Sequence, residues 1–204
     1  MFKRAGELLV EYEATSVLSK VRLNNTATSE LKERLRYLDI TIEMVEESVA
    51  RLETLRKVVA DMDPIDQDAW DRWMLQAAKT RILTETFYFN CGRIAELLKD
   101  PPGWIPYIGD PGFIGALQVR HKLVEHYDPG QSPFEQGPSF AISSAEGPIL
   151  QPTMSREWTD KGLYVNAKEL ADVLERRIAN ACDKIRTTAA AARPPSELLP
   201  PAEH

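Results

Sequence analysis

The residues best suited to chemistry stand in one stretch, Val119-Arg120-His121-Lys122-Leu123-Val124-Glu125-His126-Tyr127-Asp128. It holds two of the three histidines, the third being the last residue, His204. A histidine with an ordinary pKa of about 6.5 suits proton transfer near neutrality. An arginine presents a fork of donors that matches the oxygens of a phosphate, so Arg120 is a candidate anion ligand. Glu125 follows His121 by one helical turn and could orient it. A structural reading stands beside the chemical one. Arginine, lysine and histidine in the last turns of a helix complement the macrodipole and cap free carbonyls.

Other chemistries lack their residues. The chain has no glycine-rich phosphate loop, no His-Glu-x-x-His and no Cys-x-x-Cys. Gly109-Asp-Pro-Gly112 lacks the Lys-Ser/Thr continuation of a P-loop, and there is no Gly-x-Ser-x-Gly elbow. Glu43, Glu46 and Glu47 cluster on one helix, where a solvated charged face is the expectation. Neither a metal nor a cofactor is expected. Cys91 and Cys182 are too few for a disulfide framework or a zinc site and read as small buried residues. The four tryptophans read as core or loop-anchoring residues.

Arg120 and His126 are separated by five residues, with the polar His121 directly after the arginine. This pattern resembles the signature of the HEPN superfamily, the higher eukaryotes and prokaryotes nucleotide-binding domains. The resemblance covers residues 119–128 in detail and about 29–190 in architecture only. It implies a helical bundle, commonly dimeric, and metal-independent endoribonuclease activity. Arg120 and His126 would be the catalytic pair, supported by His121, Glu125, Lys122 and Tyr127. RNA and a cognate antitoxin would be the partners. One departure matters: Tyr127 follows His126 directly, whereas HEPN proteins paired with minimal nucleotidyltransferases carry the tyrosine two residues on. Regulation by tyrosine modification is therefore not expected.

Geometry adds a demand. At about 100° per residue, positions 120 and 126 point roughly 120° apart on a regular helix. They cannot share one face, so two copies would have to meet across a two-fold axis. A non-catalytic helical module that pairs with itself or with another protein is the alternative function. Its seam would be residues 31–62 and its variable surface residues 129–162.

The elements that must position this stretch read as an all-α bundle of about five helices, built on a long antiparallel helical hairpin. The first helix covers about residues 3–23, with Leu8, Leu9, Tyr12, Val17, Leu18 and Val21 at helical spacing. The second begins at Ser29 as N-cap, and Leu31, Leu35, Leu38, Ile42, Val45, Val49 and Leu52 alternate by four and three. The spacing skips Arg56 and returns at Val59 and Met62. Glu47 before Arg51 and Glu53 before Lys57 are favourable pairs.

Asp63-Pro64 is a stop and a start. The third helix then runs over about 66–99, with Trp70, Trp73, Met74, Ala77, Ile82, Leu83, Phe87, Phe89, Ile94, Leu97 and Leu98 as apolar positions and a bend expected at Asn90-Cys91-Gly92. A fourth helix over about 111–127 carries the Arg120–His126 stretch. Residues 129–165 hold five of the 14 prolines and form an irregular excursion, in which Phe140–Ser144 and Gly147–Leu150 can pair as a small β-hairpin. The last helix opens at Asn166 with Glu169 three residues on, a capping-box signature. Leu170, Val173, Leu174, Ile178 and Ile185 mark its buried face. Residues 1–190 form one domain, and 191–204 a disordered Pro-rich tail.

With 204 residues the chain can bury one sizeable core. Its net charge of -6 argues against broad electrostatic binding to nucleic acid. No apolar run exceeds four residues and no signal-peptide region opens the sequence, so a cytoplasmic protein without a membrane segment is expected.

Overall fold

The computed structural model describes residues 1–18, 25–62, 66–98, 140–144, 147–151 and 165–191. Among these residues the chain is an all-α helical bundle of four helices with a small three-stranded sheet attached. The helices are α1 (Lys3–Leu18), α2 (Asn25–Ala60), α3 (Gln67–Leu97) and α4 (Ala167–Ala191). The strands are β1 (Phe140–Ser144), β2 (Gly147–Gln151) and β3 (Val165–Asn166). The expected fourth helix, the Pro-rich tail beyond Ala191 and the Asp63-Pro64 punctuation lie outside the described residues.

Among the described elements the α2–α3 hairpin is the largest helix–helix contact, as the heptad spacing requires. Leu31, Leu35, Leu38, Ile42, Val45 and Leu52 are all buried, and Val49 packs against the same core. The helix starts earlier than expected. Ser29 is not its N-cap but an exposed residue inside it, because Thr26-Ala27-Thr28 continues the helix and buries Thr28. At the start of α3, Asp66 is the N-cap, accepting from the Asp68 N–H at 3.1 Å. The helix continues unbroken through Asn90-Cys91-Gly92, all three of which are buried.

The inward face of α3 agrees with the expected one in part. Ala77, Phe87, Ile94, Leu97 and Leu98 are buried as expected and are joined by Thr80, Thr84, Tyr88 and Cys91, whereas Trp70, Met74, Ile82 and Phe89 are exposed. Threonine can occupy a buried seam because its hydroxyl donates to a carbonyl one turn back. Thr80 donates to the Gln76 carbonyl and Thr84 to the Thr80 carbonyl, each at 3.0 Å. Trp70 meets Trp73 in a tilted ring contact, centroids 5.0 Å apart, and is not a core residue.

Helix α1 packs on α4 and α2. Phe2, Ala5, Leu9 and Tyr12 enter the common core, while Val17 and Leu18 stay exposed, where Ser16 takes the inward position. Helix α4 buries Leu170, Val173, Leu174, Ile178 and Ile185, the face expected from the sequence. Asn166 caps it as expected, its Oδ1 accepting from the N–H of Lys168 at 2.9 Å and of Glu169 at 3.2 Å.

Strands β1 and β2 form the expected antiparallel hairpin, with Phe140 opposite Gln151 and Ser144 opposite Gly147. Strand β3 joins the other edge of β2, pairing Ile149 with Asn166 and Leu150 with Val165. No described helix is long and apolar enough to cross a membrane.

Candidate functional site

Arg120, His121, Lys122, Glu125, His126 and Tyr127 all lie outside the described residues, as does His204. The structure therefore describes the rest of the bundle and not the expected site. Three polar arrangements in the described bundle were not foreseen from the sequence.

The first ties the start of α2 to the end of α3. Arg93 donates through two nitrogens to Glu30, at 2.7 and 2.9 Å, and through the third to Glu96 at 3.1 Å. Arg34 reaches Glu30 at 3.3 Å and donates to Asn90 Oδ1 at 3.1 Å, while Asn90 donates to the Thr86 carbonyl. The two-pronged contact with Arg93 holds the Glu30 carboxyl below the usual carboxylate range, against an opposing effect of burial, and Arg34 adds to the lowering. The same pairing raises Arg93, which stays charged in any case. The Glu30–Arg34 spacing was visible in the sequence; the partner 63 positions away on another helix was not.

The second is a buried polar rung across the hairpin. The Ser48 and Thr80 hydroxyls meet at 2.8 Å, and Gln76 Nε2 donates to Ser48 Oγ at 2.7 Å and to the Ser48 carbonyl at 3.1 Å. Above this rung opens a cleft of about 290 Å³, lined by Met44, Glu47, Arg51, Lys79, Ile82 and Leu83 besides Ser48 and Gln76. Glu47 pairs with Arg51 within α2, as expected, but Glu53 pairs with Arg56 at 2.9 Å in place of Lys57. Arg56 lies three positions on and reaches the same carboxylate.

The third is a groove of about 390 Å³ between α1 and α2, where Phe2 and Leu35 form the floor and Lys3, Lys32 and Arg36 the rim. Asp39 at its edge accepts from the Phe2 N–H at 2.7 Å, and Lys32 bridges to Glu13.

None of these arrangements is a catalytic constellation. No group of three or more His, Cys, Asp or Glu side chains among the described residues could hold a metal. Glu43, Glu46 and Glu47 are exposed, in keeping with a solvated face. Both cysteines are buried and free, and burial pushes both thiols up, away from the reactive thiolate. Comparison with protein-family models, with curated proteins and with solved structures finds no match to this chain.

Proposed function

We propose that this chain is a HEPN-like, metal-independent endoribonuclease of the toxin or defence type, acting as a dimer in the cytoplasm. One observation carries the reading: Arg120-x5-His126, with His121 directly after the arginine, occurs in a chain that is an all-α bundle built on a long helical hairpin. In the reaction a ribose 2′-hydroxyl attacks the adjacent phosphorus and the bond from phosphorus to the 5′-oxygen breaks. His126 moves the proton, and Arg120 stabilises the charge that gathers on the phosphoryl oxygens. His121 holds the phosphate, Glu125 orients His121, and Lys122 and Tyr127 flank the site. RNA is the substrate, and a cognate antitoxin is the protein partner.

The test incubates wild type, Arg120→Ala and His126→Ala with a mixed, end-labelled RNA pool in EDTA. Cleavage by wild type that both folded variants lose supports the reading. An intact pool with all three proteins refutes it.

A second reading, a non-catalytic helical module for pairing with itself or another protein, is favoured by a specific feature. Ile40, Met44, Leu75, Ile82 and Phe89 on α2 and α3 are all close to half exposed or more. An RNA pool left intact, together with stable self-association, is the outcome this reading requires.

A further inference from the structure

The groove between α1 and α2 has a regular construction. Helix α1 lines it with Lys3, Gly6, Glu7 and Val10, and α2 lines it with Lys32, Leu35, Arg36 and Asp39. Each set follows the spacing i, i+3, i+4, i+7, so one face of each helix forms one wall. Phe2 and Leu35 supply an apolar floor, and Val10, 57% exposed, adds to the lining. The charges leave a surplus. Lys32 is taken up by Glu13, and Glu7 is paired with Arg4 at 3.2 Å. Asp39 accepts from the Phe2 N–H at 2.7 Å and pairs with the Met1 amine at 2.6 Å. Both carboxylates that line the groove are thus engaged, while Lys3 and Arg36 are exposed and have no ion-pair partner among the described residues.

Gly6 is the second feature. It lies inside α1, its N–H donating to the Phe2 carbonyl at 3.2 Å. Glycine is a poorer helix residue than alanine. No neighbour requires it, since a Cβ there would meet nothing within 4 Å. Its bare backbone instead opens the groove wall to close approach by another molecule.

We propose that this groove binds a small amphipathic carboxylate, with its apolar body on Phe2, Leu35 and Val10 and its head met by Lys3 and Arg36 at the rim. The proposal uses none of the residues of the nuclease reading, so either can fail alone. The size fixes the class. At about 30 Å³, the share of one water in the liquid, a groove of about 390 Å³ has room for about 13 non-hydrogen atoms. That is a carboxyl group on a chain of about ten carbons, in a space within the usual range of small-ligand sites. A partner helix would need far more apolar surface than one exposed valine offers. The two unpartnered cations call for a negative head.

Isothermal titration calorimetry of the full chain with decanoate, kept below its micelle concentration, tests this. One saturable site per chain is expected, with a dissociation constant on the order of 100 µM. Decanol keeps the apolar chain without the charge and is expected to bind at least about 10-fold more weakly. Lys3→Gln and Arg36→Gln should each weaken decanoate about 3- to 10-fold. Gly6→Leu fills the groove and should abolish binding without lowering Tm, because its side chain enters open space. Absence of saturable binding overturns the proposal, as does equal affinity for decanol, or binding that survives Gly6→Leu. If Gly6→Leu lowers Tm, the Lys3→Gln/Arg36→Gln double variant decides, since it alters only exposed side chains. Decanoate affinity unchanged in that variant overturns the proposal.

Discussion

The buried rung between Ser48 and Thr80 makes a quantitative prediction. Thr80 is fully buried, and its hydroxyl meets both the Gln76 carbonyl and Ser48 Oγ. Thr80→Val keeps the shape and removes both contacts. Each net hydrogen bond contributes about 1 kcal/mol, and Ser48 Oγ keeps its contact with the Gln76 amide at 2.7 Å. The expected loss is about 1.5–2 kcal/mol. Ser48→Ala removes the same rung from the other side, together with one of the two acceptors of Gln76 Nε2, and should cost about 1–2 kcal/mol. Because the two substitutions delete one shared contact, the double variant should lose about 1 kcal/mol less than the sum. Urea unfolding of the full chain, followed by far-UV circular dichroism on wild type, both single variants and the double variant, completes the cycle. Additivity within about 0.3 kcal/mol would refute the idea that this rung is a coupled part of the seam.

Three other outcomes are expected. Leu38 is fully buried at the middle of the α2 seam, so Leu38→Ala should destabilise by about 2–5 kcal/mol; a fall in Tm under about 4 °C would show that the site collapses around the loss. Asn166→Ala should cost about 1 kcal/mol by freeing the first N–H groups of α4, and Asn166→Asp should restore most of it in the same urea titration. Glu30 has its folded-state carboxyl lowered, so its contribution is present at neutral pH and disappears as pH falls through the range below an ordinary glutamate. Glu30→Gln should therefore lower stability at pH 7 and flatten the acid limb of the stability profile, and an unchanged limb would count against the Arg93 pairing.

Much of the frame was legible in the sequence because it rests on strong local signals. The alternation by four and three in α2 demanded a long partner helix, and Asn166 with Glu169 marked the start of α4. The β-hairpin also lay where its residues suggested. The inward face of α3 was legible only in part, since the burial of Thr80 and Thr84 depends on hydroxyls satisfied within the helix, while Ile82 and Phe89 point outward. Hydrophobicity alone ranks those positions in the wrong order. The Glu30–Arg93 pair escaped notice for a different reason, as no local pattern links residues 63 positions apart. The candidate site was legible only as a motif, Arg120-x5-His126, whose residues fall outside those the structure describes.

The packing of α1 against α4 has a consequence for how the chain is made. Cys182 Sγ reaches the Leu8 carbonyl and Arg186 pairs with Glu11, contacts that span 174 and 175 positions. A ribosome releases α1 long before α4, so α1 waits while the residues between them are made; among the described elements α2 is its other main helical neighbour. Closing so long a loop is entropically slow, and the apolar side of α1, including Leu8, Leu9 and Tyr12, stays uncovered on its α4 side meanwhile. This side of the nascent chain is thus exposed until α4 emerges. A circular permutant that joins α4 directly to α1 would make that contact local, and it should fold faster than the natural order while keeping the same bundle.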